Sequence, residues 1–177
     1  RRLERPEPSV LTPSRPRRGK VDLLIGLDGS DASTAAASLA LGLFGPRTRR
    51  VTLATVLDVD TAAPHADHVL YPGPWPEETA ARALLDTAAA ELGARFDATP
   101  GAVVLAGVPA DALEQYAVDE GYEVIVVGCR GKGLSKLLLG SCASQLACKT
   151  KVPVLLIPAG TVGTAPADGH AAAAPVG

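Results

Sequence analysis

Apolar residues fall along this chain in two alternating patterns. Short continuous runs, VDLLIGL, VTLATVLDV, AVVLAG, EVIVVG and VPVLLIP, are separated by longer stretches: DASTAAASLALGLF, EETAARALLDTAAAELGARF, ADALEQYAVDEG and the region LLLGSCASQLACKT. Unbroken apolar runs are what strands need when both faces of a sheet are covered. The longer stretches carry helix signals. In the first, Ser30 or Asp31 can cap the start, Gly45-Pro46 can end it, and Ala35, Leu39 and Leu43 are placed on the inward face. In the second, Ala81, Leu84, Leu85, Ala88, Leu92 and Phe96 keep the helical period. The third, Asp111 to Gly121, is short, with Leu113, Ala117 and Tyr116 inward. Five strands joined by four helices predict an α/β fold, an open five-stranded parallel sheet with helices on both faces and right-handed crossovers.

Composition narrows this. With 177 residues, 47% of them hydrophobic, the chain holds one α/β domain with a full core. Aromatics are 3%, so that core is aliphatic and built from small residues. RRLERPEPSVLTPSRPRRGK and AGTVGTAPADGHAAAAPVG have no periodicity and predict disordered tails. The expected division is a basic arm, 1–20, a folded domain, 21–158, and an Ala/Gly/Pro tail, 159–177. The arm lacks interleaved aromatics, so solvation is favoured over a nucleic-acid role.

The net charge of −2 conceals an asymmetry. Residues 1–20 hold seven Lys/Arg against two Glu, a net +5, leaving 10 basic against 17 acidic residues, a net −7, in the remainder. Within that acidic body, 128–151 carries Arg130, Lys132, Lys136, Lys149 and Lys151 and no acid. Such a local positive field suits an anion, and equally describes a solvated lysine face. The three cysteines, Cys129, Cys142 and Cys148, are odd in number and lack metal-ligand spacing, so they read as reduced thiols of a cytoplasmic protein. No run approaches the roughly 18 apolar residues of a membrane span, and the N-terminal arginines precede no apolar stretch. The sequence begins at Arg and contains no Met, which leaves open an upstream start and membership of a larger protein.

One segment breaks the rhythm. DTAAPHADHVLYPGPWPEE, Asp60 to Glu78, holds four prolines, two of the three His and the single Trp between a strand and its helix. Loops beyond about 12 residues are uncommon in compact domains and often functional. A flap over the strand C-termini and an ordinary surface excursion are the two readings.

Ligands of open parallel sheets bind beyond the strand C-termini, where the winding direction switches. That directs attention to GLDGSDAS after strand one, TVLDVD ending strand two, and GCRGKG after strand four, which share one edge if the strand order is 3-2-1-4-5. Gly128 and Gly131 can bring N–H groups close to a ligand without an intervening side chain. Gly140-Ser141 sits where a helix can begin, offering the Ser141 hydroxyl and neighbouring N–H groups to an anion at the positive end of the helix dipole. Together they suggest a two-sided phosphate cradle; singly, the glycines read as turn residues and Ser141 as a plain N-cap. GCRGKG is not a Walker A loop, and GxGxxG does not follow the first strand.

On VDLLIGLDGSDAS, GVPADALEQYAVDEGYEVIVVGCRGKG and LLLGSCASQLACKTKVPVLLIP the sequence resembles the universal stress protein family, over about the whole body. The resemblance implies a Rossmann-like sheet of order 3-2-1-4-5, akin to that of the adenine nucleotide alpha hydrolases. In the family's nucleotide-binding branch it implies ATP at the strand C-termini, with AMP or another adenine nucleotide as alternatives and magnesium accompanying the nucleotide. It also implies a homodimer formed through the last strand, Val152 to Pro158. The branch is marked by GxxG, nine residues, then G[ST]. Gly128, Gly131, Gly140 and Ser141 match it, but only eight residues, KGLSKLLL, separate Gly131 from Gly140. A deletion within a helix would turn its face by about 100°, so the missing residue is placed in the loop.

Residue by residue, the resemblance puts Gly26 and Asp28 beside the adenosine and gives the Val56 backbone to the adenine edge. Gly128, Cys129, Arg130, Gly131, Lys132 and Gly133 would wrap ribose and phosphates, and Gly140, Ser141 and Cys142 would complete the phosphate site through their N–H groups. A helix-capping role for Asp28 is the alternative. Arg130 and Lys132 would add charge. Cys129 and Cys142 adjoin the cradle, where cations and a helix N-terminus would lower a thiol pKa, against which stands the reading of buried inert thiols. No catalytic residue is assigned, because no evident general base faces the cradle. The function expected is an ATP-binding regulatory protein of stress physiology, signalling through its nucleotide state. A slow ATPase and a nucleotide-free interaction domain of a larger protein, such as a transporter, are the alternatives.

Overall fold

The computed structural model describes residues 19–58, 76–129, 139–158 and 160. The arm 1–18, most of the Pro-rich segment (59–75), the turn 130–138 and nearly all of the C-terminal tail lie outside the described residues, and so do the expectations attached to them.

Five strands form one parallel sheet in the order β3-β2-β1-β4-β5: β1 Val21–Gly26, β2 Thr48–Leu57, β3 Gly101–Ala106, β4 Val124–Gly128 and β5 Val154–Ile157. The helices between them are α1 Asp31–Phe44, α2 Pro76–Phe96, α3 Pro109–Asp119 and α4 Ser141–Lys149. This is the expected topology. Alternation along each strand divides the core in two. Leu23, Ile25, Val51, Leu53 and Val126 meet α1 and α2 on one face, while Leu24, Ala54, Ile125 and Val127 meet α3 and α4 on the other. The central strands are apolar on both faces because both are covered.

The second and third helices bury most of the residues their periodicity selects: Ala81, Leu85, Ala88 and Leu92 in α2, and Leu113 and Ala117 in α3, with Leu84, Phe96 and Tyr116 only half-buried; α3 starts at Pro109, two residues earlier than expected, and buries Ala110 as well. The first does not. Its inward face is Ser33, Ala36, Ala37, Ala40 and Leu41, and Leu43 is 59% exposed. DASTAAASLALGLF is small or apolar at nearly every position, so leucine spacing carries no phase information, and alanines are what allow the helix to lie close on the sheet. β2 also starts earlier than its apolar run, at Thr48, because Arg49 and Arg50 pair with acids at the sheet's lower end. Among the described residues no helix is long and apolar enough to cross a membrane.

The winding direction reverses at β1, which sends α1 to one face and has β4 as its neighbour on the other side. The crevice at the C-terminal ends of these strands is where such a sheet receives ligands.

Candidate functional site

A cavity of about 350 Å³ opens at that crevice, within the roughly 300–1,000 Å³ typical of small-molecule sites. It collects Gly26 and Asp28 from the end of β1, Val56 from β2, Gly128 from β4, and Gly140, Ser141 and Cys142 from the start of α4. Seven of the twelve residues the sequence proposes therefore line one hollow. Cys129 is not among the lining residues, and Arg130, Gly131, Lys132 and Gly133 fall outside the described residues.

The loop leaving β1 is fixed by its own polar groups. Asp28 Oδ1 accepts from Ser30 N at 3.0 Å and from Ser30 Oγ at 2.6 Å. Ser30 in turn caps α1, its hydroxyl accepting from Ser33 N at 3.2 Å. Gly29 between them has φ 74°, a conformation for which glycine is suited. Ser33, buried under this turn, accepts from Asp28 N at 3.4 Å and donates to Ser30 O at 2.9 Å. Asp28 thus supports the cap indirectly while its carboxylate stays at the cavity rim.

Gly26 has a packing reason for being glycine. A Cβ there would sit 3.0 Å from Val127 Cγ1 and 3.1 Å from Leu113 Cδ1. The absence of a side chain lets β1 close against β4 and α3 and keeps the cavity floor low.

Val56 presents backbone rather than side chain. The β1–β2 ladder ends at Gly26 and Ala54, with Leu27 N–H donating to Ala54 O at 2.7 Å. In a parallel strand the hydrogen-bonding direction alternates from residue to residue. Thr55 and Leu57 therefore bond toward β3, where Gly107 N–H donates to Leu57 O at 3.0 Å. Val56 faces the side that β1 has just vacated, and no backbone hydrogen bond among the described residues reaches it from there. Its N–H and C=O form an adjacent donor and acceptor at the cavity edge.

The opposite wall is the first turn of α4. Gly140, with φ −62° and ψ 153°, is the N-cap, and Ser141 is the first helical residue, not the cap as its type suggests. The reason lies in Gly140 O, which already accepts the first intrahelical bond, from Ser144 N at 2.8 Å. No side chain caps this helix, so the N–H groups of Ser141, Cys142 and Ala143 remain directed out of its N-terminus. Gly140 N–H is committed elsewhere: it donates to Cys129 O at 2.8 Å, while Cys129 N–H donates to Ile157 O at 2.8 Å. The eight-residue spacing therefore still brings the end of β4 and the start of α4 into direct backbone contact.

For Cys142 the buried, inert reading is the one that fits. Burial pushes its thiol up to about 11, and the nearby Asp28 carboxylate adds to the shift. A helix N-terminus does favour a thiolate, but here desolvation is the stronger effect, so the residue is a neutral, space-filling thiol. Several lining residues carry no sequence signal of their own. Pro109, Leu113 and Ala143 read as core, and Ser33 and Thr55 pass as incidental hydroxyls in apolar runs; only the assembled cavity distinguishes them.

Residues 22–158 match the model of the universal stress protein family. Over 141 residues the chain is 32% identical to the "Universal stress protein in QAH/OAS sulfhydrylase 3'region" of Thermus aquaticus, covering 76% of this chain and 96% of that protein. A universal stress protein solved in complex with cAMP superposes with a TM-score of 0.58 at 24% identity, covering 78% of this chain and 97% of that one. A universal stress protein from Archaeoglobus fulgidus in complex with dAMP gives 0.51 at 20% identity, covering 77% and 97%. At these identities the two structures establish the shared fold.

Proposed function

This chain belongs to the universal stress protein family, and from that premise we propose that it is a regulatory adenine-nucleotide-binding protein holding ATP at the C-terminal ends of β1, β2 and β4. The observation that carries the reading is the pairing of Val56 with the first turn of α4 across one cavity. Adenine presents the acceptor N1 beside the donor 6-amino group, the complement of the Val56 N–H and C=O. The uncapped N–H groups of Ser141, Cys142 and Ala143 suit phosphate oxygens, which helix N-termini favour through both hydrogen bonding and dipole. Asp28 at the rim suits ribose hydroxyls. The bound adenylates named for two structural neighbours, cAMP and dAMP, support the same ligand class.

In this reading the protein binds and signals; magnesium enters only with the nucleotide, and Arg130 and Lys132 add charge to the phosphate end. The working unit is a homodimer. β5 is an edge strand with Val154, Leu155 and Leu156 half-buried, and pairing across 152–158 would cover that edge. The acting state is set by stress physiology through the nucleotide bound.

The test is nucleotide retention. Protein purified without added nucleotide is denatured and its supernatant run on ion exchange, followed by titration with ATP. Retained adenylate, or saturable binding of one nucleotide per chain, is expected. Absence of both retention and binding would overturn the reading and leave a nucleotide-free interaction domain. Sedimentation of the whole chain as a monomer would remove the dimer alone.

A further inference from the structure

Four polar or charged residues are buried among the described residues: Asp22, Ser33, Thr52 and Thr55. Three are satisfied within the protein. Asp22 accepts two hydrogen bonds from Arg49, at 2.9 and 2.6 Å. Ser33 bridges Asp28 N and Ser30 O. Thr52 Oγ1 accepts from Tyr122 Oη at 2.6 Å. Thr55, only 7% exposed, makes no side-chain hydrogen bond among the described residues, and it lines the candidate cavity. Its hydroxyl is not a sealed orphan, since no fully enclosed side-chain oxygen lacks a partner; the exposure it retains opens on the cavity.

The fold itself gains no hydrogen bond from a hydroxyl in this position. Valine has nearly the same shape, suits a strand better, and would leave no polar group without a partner. Thr55 directly precedes Val56, whose N–H and C=O face the same hollow. An adenine 6-amino group carries two hydrogens. If Val56 C=O accepts one, the other lies toward the neighbouring side chain.

We infer that Thr55 is a specificity-determining residue whose hydroxyl accepts the second hydrogen of the 6-amino group of the bound adenine, reading the base where the backbone of Val56 reads its edge. The inference rests on the nucleotide reading above and goes beyond it in assigning a side chain to base selection. The β-branched side chain supports this role because its χ1 is stiff and the oxygen is held in place without the ligand.

The test compares wild type, Thr55→Val and Thr55→Ser by calorimetric titration with ATP and with purine riboside 5'-triphosphate, which lacks the 6-amino group. Thr55→Val should weaken ATP about three- to tenfold, the range of one neutral hydrogen bond, and leave the deamino analogue unchanged. Thr55→Ser should restore ATP binding to within about twofold of wild type, since the hydroxyl is retained. Equal ATP affinity for wild type and Thr55→Val, or equal weakening of both nucleotides, would overturn the assignment while leaving the nucleotide site standing. Failure of wild type to bind either nucleotide would instead bring down the nucleotide reading, and this inference with it.

Discussion

The two ends of the sheet treat their polar groups in opposite ways. At the N-terminal end of the strands, a larger hollow of about 490 Å³ is bordered by Lys20, Arg49, Arg50 and Asp97. There the two arginines and their neighbours are paired within the protein. Arg49 forks onto Asp22; Arg50 donates to Glu120 O at 2.7 Å and lies 3.9 Å over the Tyr122 ring; and Tyr122 donates to Thr52. At the C-terminal end the cavity is smaller, yet Val56, Thr55 and the first turn of α4 direct hydrogen-bonding groups into it without protein partners. Size alone would not select the end where the proposed site lies. The lower end uses its polar groups for stability; in the proposed function the upper end keeps them for a ligand.

The largest effect expected from breaking this contrast is at the lower end. Arg49→Ala leaves the buried Asp22 carboxylate with only Arg50, at 3.6 Å. Removing one partner of a buried charge is destabilising, and because Arg49 is half-exposed solvent screens part of the loss, so a lowered unfolding midpoint is expected. Urea unfolding would read it, and ATP affinity measured below the transition should stay within about twofold of wild type, as expected for distant independent sites.

Ser141→Pro probes the upper end with the fold preserved. Proline is accepted at the first helical position, and Gly140, at ψ 153°, already has the backbone angle a pre-proline residue prefers. The substitution deletes one of the uncapped N–H groups that the proposed function assigns to the phosphate. ATP binding should fall about tenfold or more, the range for a hydrogen bond to a charged group, with the unfolding midpoint little changed. Ser141→Ala, which keeps the N–H, should lose much less. Equal affinities for the two variants would show that this N–H does not meet the ligand.

Much of this was legible in the chain, for physical reasons that differ by element. Continuous apolar runs forecast a sheet covered on both faces, and glycines with an intervening cationic stretch pointed to the upper edge. α1 was misphased because alanines occupy nearly every position and the period disappears. Ser141 was placed one residue early because its type suggests a cap, whereas the capping position is set by the carbonyl of Gly140. The inert reading of Cys142 fits the structure, where burial outweighs the helix dipole that its sequence neighbours reveal. Thr55 was invisible as a site residue, since an unpartnered hydroxyl can be recognised only after every other buried one has found its partner.

Cys142 provides the smallest and most specific effect. Its folded pKa, about 11, lies above the ordinary value of 9.0, so between these limits the native state holds a proton that the unfolded chain has released. Its contribution to stability is therefore complete below about pH 9 and declines as the pH rises toward about 11. Cys142→Ala should flatten that part of the stability profile by up to one proton, as read by urea midpoints across the range. An unchanged slope would show that the thiol is not held neutral by burial.

The division of labour between the two ends is tested most directly by residue-resolved amide hydrogen exchange with and without saturating ATP. The account predicts slowed exchange at Val56 and at Ser141, Cys142 and Ala143, with Asp22, Thr52 and Tyr122 unaffected. Protection concentrated around Arg49 and Arg50, or no change at Val56 and α4 while ATP is bound, would contradict it.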